Sequence, residues 1–136
     1  MVTGRCLCGS VRYRVTGALR EVVNCHCHRC RRHTGHFLAA TQCLSDDLEF
    51  DSMDWLRWYS PDGEVGYGFC EQCGSTLFWR CRERAEKISV AAGTLDGPTG
   101  LTTKASIWTL EASDYHEIDK SIPLYPFGTD GEIPGS

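Results

Sequence analysis

Apolar and polar positions alternate along this chain in short runs. Val11, Tyr13 and Val15 alternate with Arg12 and Arg14, and Ile88 and Val90 alternate with Lys87 and Ser89. A period of two places successive apolar side chains on one face of an extended strand. Leu77, Phe78 and Trp79 run without interruption, as in a strand covered on both faces. Residues 20–24, 37–43, 47–51, 55–60, 64–69 and 105–109 are further strand candidates. Turn-forming residues punctuate these runs at Gly17, Asp62-Gly63, Gly93 and Asp96-Gly97-Pro98. One stretch reads as helix, residues 28–34 (HRCRRHT), closed by Gly35. The expected fold class is therefore mainly β, with few short helices. Ile122 to Phe127 holds two prolines and is excluded from a central strand, so it is expected to pack as an extended arm. Trp55, Trp58, Trp79 and Trp108 are expected in the core, because aromatic rings bury large apolar areas.

The chain has 136 residues, 41% of them apolar and 24% charged, which marks a globular rather than a disordered sequence. Residues 1–128 read as one domain without an internal linker, and 129–136 (TDGEIPGS) as a polar, frayed tail. No apolar run approaches the roughly 20 residues that span a bilayer. The first ten residues, MVTGRCLCGS, have no apolar core of a secretory signal, so a cytoplasmic location is expected. A net charge of −4 gives no general attraction to nucleic acid or to a membrane surface.

Cysteine changes the picture. There are nine, an odd number, and thiols of a reducing compartment point to metal binding or thiol chemistry rather than to disulfides. They fall into three clusters: Cys6-x-Cys8, Cys25-x-Cys27-x-x-Cys30 and Cys70-x-x-Cys73. Cys43 and Cys81 stand alone and read as small buried hydrophobes. Cys6, Cys8, Cys70 and Cys73 supply four thiolates, the donor set of a closed tetrahedral zinc site. Gly9 and Gly74 follow the second cysteine of each pair, where a turn toward the sulfur needs positive φ. Joining position 8 to position 70 closes a loop at a cost of roughly 3–4 kcal/mol beyond a constant, against about 10–16 kcal/mol from a structural zinc. A faint repeat supports this grouping: Cys8-Gly9-Ser10 and Cys73-Gly74-Ser75 are each followed by an aromatic, Tyr13 and Phe78, five residues after the cysteine. A pairing of Cys6 and Cys8 with two members of the triplet stays open on arithmetic alone.

Cys25, Cys27 and Cys30 supply three thiolates within six residues. Three protein ligands leave one position on a zinc ion free, as in catalytic sites, and a substrate thiol would lose its proton there. The rival is a second closed site, with His26, His28, His33 or His36 as fourth ligand. Arg29, Arg31 and Arg32 flank Cys30 and offer charge balance and carboxylate recognition. Two other classes stand beside an enzyme of this kind: a non-catalytic zinc module for a protein or peptide partner, and a zinc-stiffened thiol or sulfoxide reductase with Cys43 or Cys81 as resolving thiol.

The runs Gly4 to Val11 (GRCLCGSV), Cys25 to Arg31 (CHCHRCR) and Phe69 to Ser75 (FCEQCGS), with the later Ser106-Ile107-Trp108, resemble the glutathione-dependent formaldehyde-activating enzyme family, which includes centromere protein V. The resemblance covers about residues 3–127. It implies a β-tent fold with two zinc ions, one structural on Cys6, Cys8, Cys70 and Cys73 and one catalytic on Cys25, Cys27 and Cys30. It also implies a carbon–sulfur lyase that joins a small thiol, glutathione in the named activity, to a small aldehyde, formaldehyde. No nucleic-acid or membrane partner is implied.

Overall fold

The computed structural model describes residues 1–129; most of the expected tail, residues 130–136, lies outside the described residues. Among the described residues, ten strands and one α-helix make up the regular structure: β1 (Val2–Arg5), β2 (Arg12–Val15), β3 (Val22–Cys25), α1 (His28–Thr34), β4 (Leu38–Leu44), β5 (Leu48–Ser52), β6 (Leu56–Tyr59), β7 (Val65–Cys70), β8 (Thr76–Cys81), β9 (Lys87–Ala91) and β10 (Thr103–Ile107). Short 3-10 turns cover Ser45–Asp47, Arg82–Arg84, Ala92–Thr94 and Thr109–Glu111. The expectation of a mainly β chain holds. The predicted helix over 28–34 is α1, and Gly35 ends it in the left-handed conformation (φ 89°), its N–H donating to the Arg31 carbonyl at 2.9 Å.

The chain divides into two compact units, each built from two separated segments. The first comprises Met1–Leu19 and Thr41–Gly100; the second comprises Arg20–Ala40 and the chain from Leu101 onward. Strand β4 carries the backbone from the second unit into the first.

In the first unit, β1, β2 and β5 form an antiparallel sheet in that order, and β9, β8, β7 and β6 follow one another as antiparallel neighbours. The alternation read at 11–15 buries Val11, Tyr13 and Val15 almost completely, together with Leu77, Phe78 and Val90. The two aromatics of the faint repeat meet here: the Tyr13 and Phe78 rings pack edge to face with centroids 5.1 Å apart. The Tyr13 hydroxyl reaches the Thr94 hydroxyl at 2.7 Å, so its buried polar end is satisfied.

In the second unit, β10 runs parallel to β3, and β3 pairs antiparallel with the start of β4 through Val23–Ala40, Asn24–Ala39 and Cys25–Leu38. Val23 and Ala105 form its small core, with Ile107 and Tyr125 packed against them. The proline-bearing arm lies along β10 and does not join as a strand. Ser106 N–H donates to Pro123 O (3.0 Å), Tyr125 N–H to Ser106 O (2.9 Å) and Trp108 N–H to Phe127 O (3.1 Å).

The tryptophans depart from expectation. Trp55 is exposed, and Trp58, Trp79 and Trp108 are half-buried. Trp55 and Trp108 lie just outside β6 and β10, and the core is filled by Tyr13, Phe78 and aliphatic side chains instead.

Candidate metal centres

The first unit gathers Cys6, Cys8, Cys70 and Cys73, with all four Sγ atoms within 4.8 Å of one another. Two near-identical turns do this. After β1, Gly9 (φ 81°) turns the chain so that its N–H donates to the Cys6 carbonyl (3.2 Å) and Val11 N–H reaches the Cys6 sulfur (3.3 Å). After β7, Gly74 (φ 79°) donates to the Cys70 carbonyl at 2.7 Å. Cys6 N–H donates to Val11 O in the first turn, and Cys70 N–H to Ser75 O in the second. Ser10 Oγ lies 3.2 Å from the Cys8 sulfur, and Ser75 Oγ lies 3.2 Å from the Cys73 sulfur. Leu7 N–H donates to Ser75 Oγ at 3.0 Å, tying one turn to the other.

The donor set fits zinc. A tetrahedron with Zn–S of about 2.3 Å has an S–S edge of about 3.8 Å. The Cys6–Cys8 and Cys8–Cys70 sulfurs are 3.6 and 3.9 Å apart. Burial works against a charged Cys73, but the Ser75 hydroxyl and nearby amides outweigh it and hold its thiol down to about 5. The Ser10 hydroxyl and amide likewise lower Cys8. Burial pushes Cys70 up to about 12, the cost of an unpaired charge inside the unit.

The second unit holds Cys25, Cys27 and Cys30, their sulfurs also within 4.8 Å of one another. Cys25 ends β3, Cys27 is the N-cap of α1 and Cys30 lies in the helix's first turn, so one strand end and one helix start converge. Cys30 N–H donates to the Cys27 sulfur at 3.3 Å. Hydrogen bonds from the Cys25 and Cys30 thiols, joined by that amide, hold Cys27 down to about 2. Cys25, a neighbour of the same sulfurs and largely buried, is pushed above the usual thiol range. The chemistry of three close thiols fits a zinc ion with one position left over.

None of the candidate imidazoles joins that trio: the mutually close donors among the described residues are sulfurs alone. His28 Nδ1 pairs with Glu111 Oε1 at 2.9 Å, and His36 Nδ1 lies 3.2 Å from the Tyr115 hydroxyl. His26 is 2% exposed, packs against Phe37 and His116 with centroids 5.0 and 6.0 Å away, and its Nε2 has no hydrogen-bond partner. Burial, with His116 and His36 beside it, lowers its pKa, so the ring is neutral. The cluster of His26, His36, Phe37, Tyr115 and His116 was not legible in the sequence, because residues 115 and 116 are about 80 positions from residue 36 and carry no spacing signal. The part played by Ser10 and Ser75 was partly legible, since both close the repeated Cys-Gly-Ser. On α1 the Nε of Arg31 is buried without a partner. Cys43 is buried, which pushes its thiol up to about 11, while Cys81 is half-buried rather than in the core.

No helix among the described residues is long and apolar enough to cross a membrane. Among solved structures, the crystal structure of a Rhodobacter sphaeroides protein from the Northeast Structural Genomics effort is similar to this chain, with 25% sequence identity and a TM-score of 0.60. The match covers 74% of this chain and 97% of that one. No curated protein matches the chain. The family model described as "Glutathione-dependent formaldehyde-activating enzyme" matches residues 1–111. That stretch contains both cysteine clusters entire, and the chain belongs to this family.

Proposed function

We propose that the chain is a carbon–sulfur lyase-type enzyme, joining a small glutathione-like thiol to a small aldehyde as an S-hydroxymethyl adduct or separating the two. Cys25, Cys27 and Cys30 would hold a catalytic zinc, and Cys6, Cys8, Cys70 and Cys73 a structural one. The observation that carries this reading is three close sulfurs with no imidazole among them. A catalytic zinc on that trio would supply Lewis acidity and lower the pKa of an incoming thiol.

The chain's own residues do the rest. The Cys30 amide and the first turn of α1 stabilise charge on Cys27. Arg31, one residue past Cys30 on α1, carries a guanidinium of the kind that takes a substrate carboxylate by paired N–H donors, and such a bond would hold an acidic thiol in orientation. The neutral, buried His26 sits between two of the three sulfur-bearing residues and helps exclude water. We read residues 1–128 as one catalytic domain, since neither compact unit is continuous in sequence, and its reduced thiols suit a cytoplasmic setting.

The test compares two variants. Cys27→Ser is expected to lower bound zinc by about one equivalent and to abolish thiol-dependent aldehyde turnover while circular dichroism stays native, because a site of this kind needs its ligands. Cys70→Ser is expected to unfold the protein. Equal behaviour of the two variants would overturn the division of roles.

A further inference from the structure

Away from both cysteine clusters, one face of β6, β7 and β8 forms a trough with a distinct charge pattern. The register aligns Trp58, Gly68 and Phe78 in one row and Gly66 with Arg80 in the next. Arg82 N–H donates to Glu64 O at 2.8 Å, which places Arg82 and Glu64 opposite each other in a third. The middle strand therefore presents no side chain at 66 or 68. The Trp58 indole fills part of that space: a Cβ at Gly66 would lie 3.3 Å from it, and one at Gly68 would lie 3.1 Å away. The Arg80 guanidinium stacks 3.7 Å from the indole centroid. What is left is a cleft of 510 Å³, lined among others by Trp58, Glu64, Arg80 and Arg82. Its size lies within the range of small-molecule sites.

The charges around this cleft are unusual for the molecule. Arg14 pairs with Glu49 and Asp51, and Arg57 pairs with Glu71. Arg82 and Glu64 lie opposite each other at the end of the ladder, where opposite charges ordinarily pair, yet the ion pairs found among the described residues do not include them, and the cross-strand neighbour of Arg80 on β7 is a glycine. Arg80, near the end of β8, and Arg82, at the start of the 3-10 turn that follows, both line this cleft. Two guanidiniums and one carboxylate around a single cleft complement a ligand with two carboxylates and one ammonium.

We propose that this cleft binds a small acidic amino acid. Arg80 and Arg82 each take a carboxylate by paired N–H donors, the Glu64 carboxylate takes the ammonium, and Trp58 holds the Arg80 plane in position. All three charged side chains are exposed, so the affinity is modest, in the millimolar range. The assignment is independent of the zinc reading.

The experiment is a titration of the full-length protein with L-glutamate, followed by NMR through the backbone amides of β7 and β8 and the Trp58 indole N–H. Potassium chloride at matched ionic strength is the control. Saturable shifts confined to this face are expected with L-glutamate. L-Glutamine and glutarate, which lack one carboxylate and the ammonium respectively, are expected to bind about tenfold more weakly, a difference of ~1.4 kcal/mol. Arg80→Gln and Arg82→Gln should each weaken L-glutamate by a similar factor, while Arg57→Gln leaves it unchanged. Absence of saturation, shifts reproduced by chloride, or affinity undiminished in Arg80→Gln would overturn the proposal. Glutarate binding equal to that of L-glutamate would overturn the part given to Glu64.

Discussion

At the scale of single residues, Gly9 and Gly74 do the same work in the two sulfur-bearing turns, with φ of 81° and 79°. An L side chain there costs roughly 1–2 kcal/mol from contact between its Cβ and the following carbonyl. Gly74 gives the cleaner reading, because an added Cβ meets nothing within 4 Å, whereas at Gly9 it meets the Arg12 guanidinium at 2.9 Å. Gly74→Ala should therefore lower stability by about 1–2 kcal/mol in urea unfolding and weaken zinc held by the four sulfurs. Gly35→Ala, at φ 89° and with equal space, should cost a similar amount and leave that zinc affinity alone. Tyr13 yields a pH dependence. Burial, which outweighs its bond with Thr94, pushes its phenol from 10 to about 12. Below pH 10 the ring is neutral in both the folded and unfolded chain. Between pH 10 and about 12 the unfolded chain releases the proton while the folded one keeps it, so stability falls as pH rises through that window. The loss amounts to about 2–3 kcal/mol, and Tyr13→Phe should remove this part of the alkaline decline in denaturant titrations. Both glycines and Tyr13 were legible in the sequence, the glycines from their place after a cysteine and the tyrosine from alternation. The left-handed Trp108 (φ 55°) was not, because no local pattern asks for that conformation in a bulky residue.

At the scale of elements, α1 shows what a short helix needs. Seven residues with three arginines and two histidines would not hold a helix in water. Both ends are fixed instead, by Gly35 at one and by the Cys27 sulfur accepting the Cys30 amide at the other. This separates two roles of Cys27. Serine is among the best N-cap residues, so Cys27→Ser removes a metal donor and keeps the cap. Cys27→Ala removes both and should be less stable than Cys27→Ser by about 1 kcal/mol when both are compared free of metal by thermal unfolding. The helix and nearly every strand were readable because turn residues and alternation bound them closely. β1 was the exception. Its four residues, VTGR, hold one glycine and alternate weakly. It is set by pairing with β2 and by the fit of Gly4 over the Tyr13 ring, where a Cβ would also meet Thr94 O at 2.8 Å. That is information about packing, which no local run of residues carries. The histidine cluster escaped for the same reason, while the cysteine clusters were plain because metal ligands from one turn must be close in sequence.

At the scale of the whole molecule, each compact unit is made of two separated segments and each contains one cysteine cluster. The four sulfurs are divided between the segment before residue 20 and the segment after residue 40, so a metal there joins parts of the first unit that lie 62 residues apart. The three sulfurs all come from residues 25–30, a span that the strand end and helix cap already bring together. A metal on the four therefore closes a long loop and stabilises the fold, and a metal on the three closes almost none. Four donors in a closed tetrahedron also leave a chelator no free position to enter by, whereas a three-sulfur site offers one. Treatment of the zinc-loaded protein with increasing chelator should thus remove zinc in two steps of about one equivalent each. The first step should leave circular dichroism and the thermal midpoint nearly unchanged while abolishing thiol-dependent turnover. The second should coincide with loss of β structure. Adding L-glutamate should not alter the order of the steps, since its proposed cleft touches neither cluster. Release of both ions in one step, together with the fold, would mean that the triplet is as structural as the quartet.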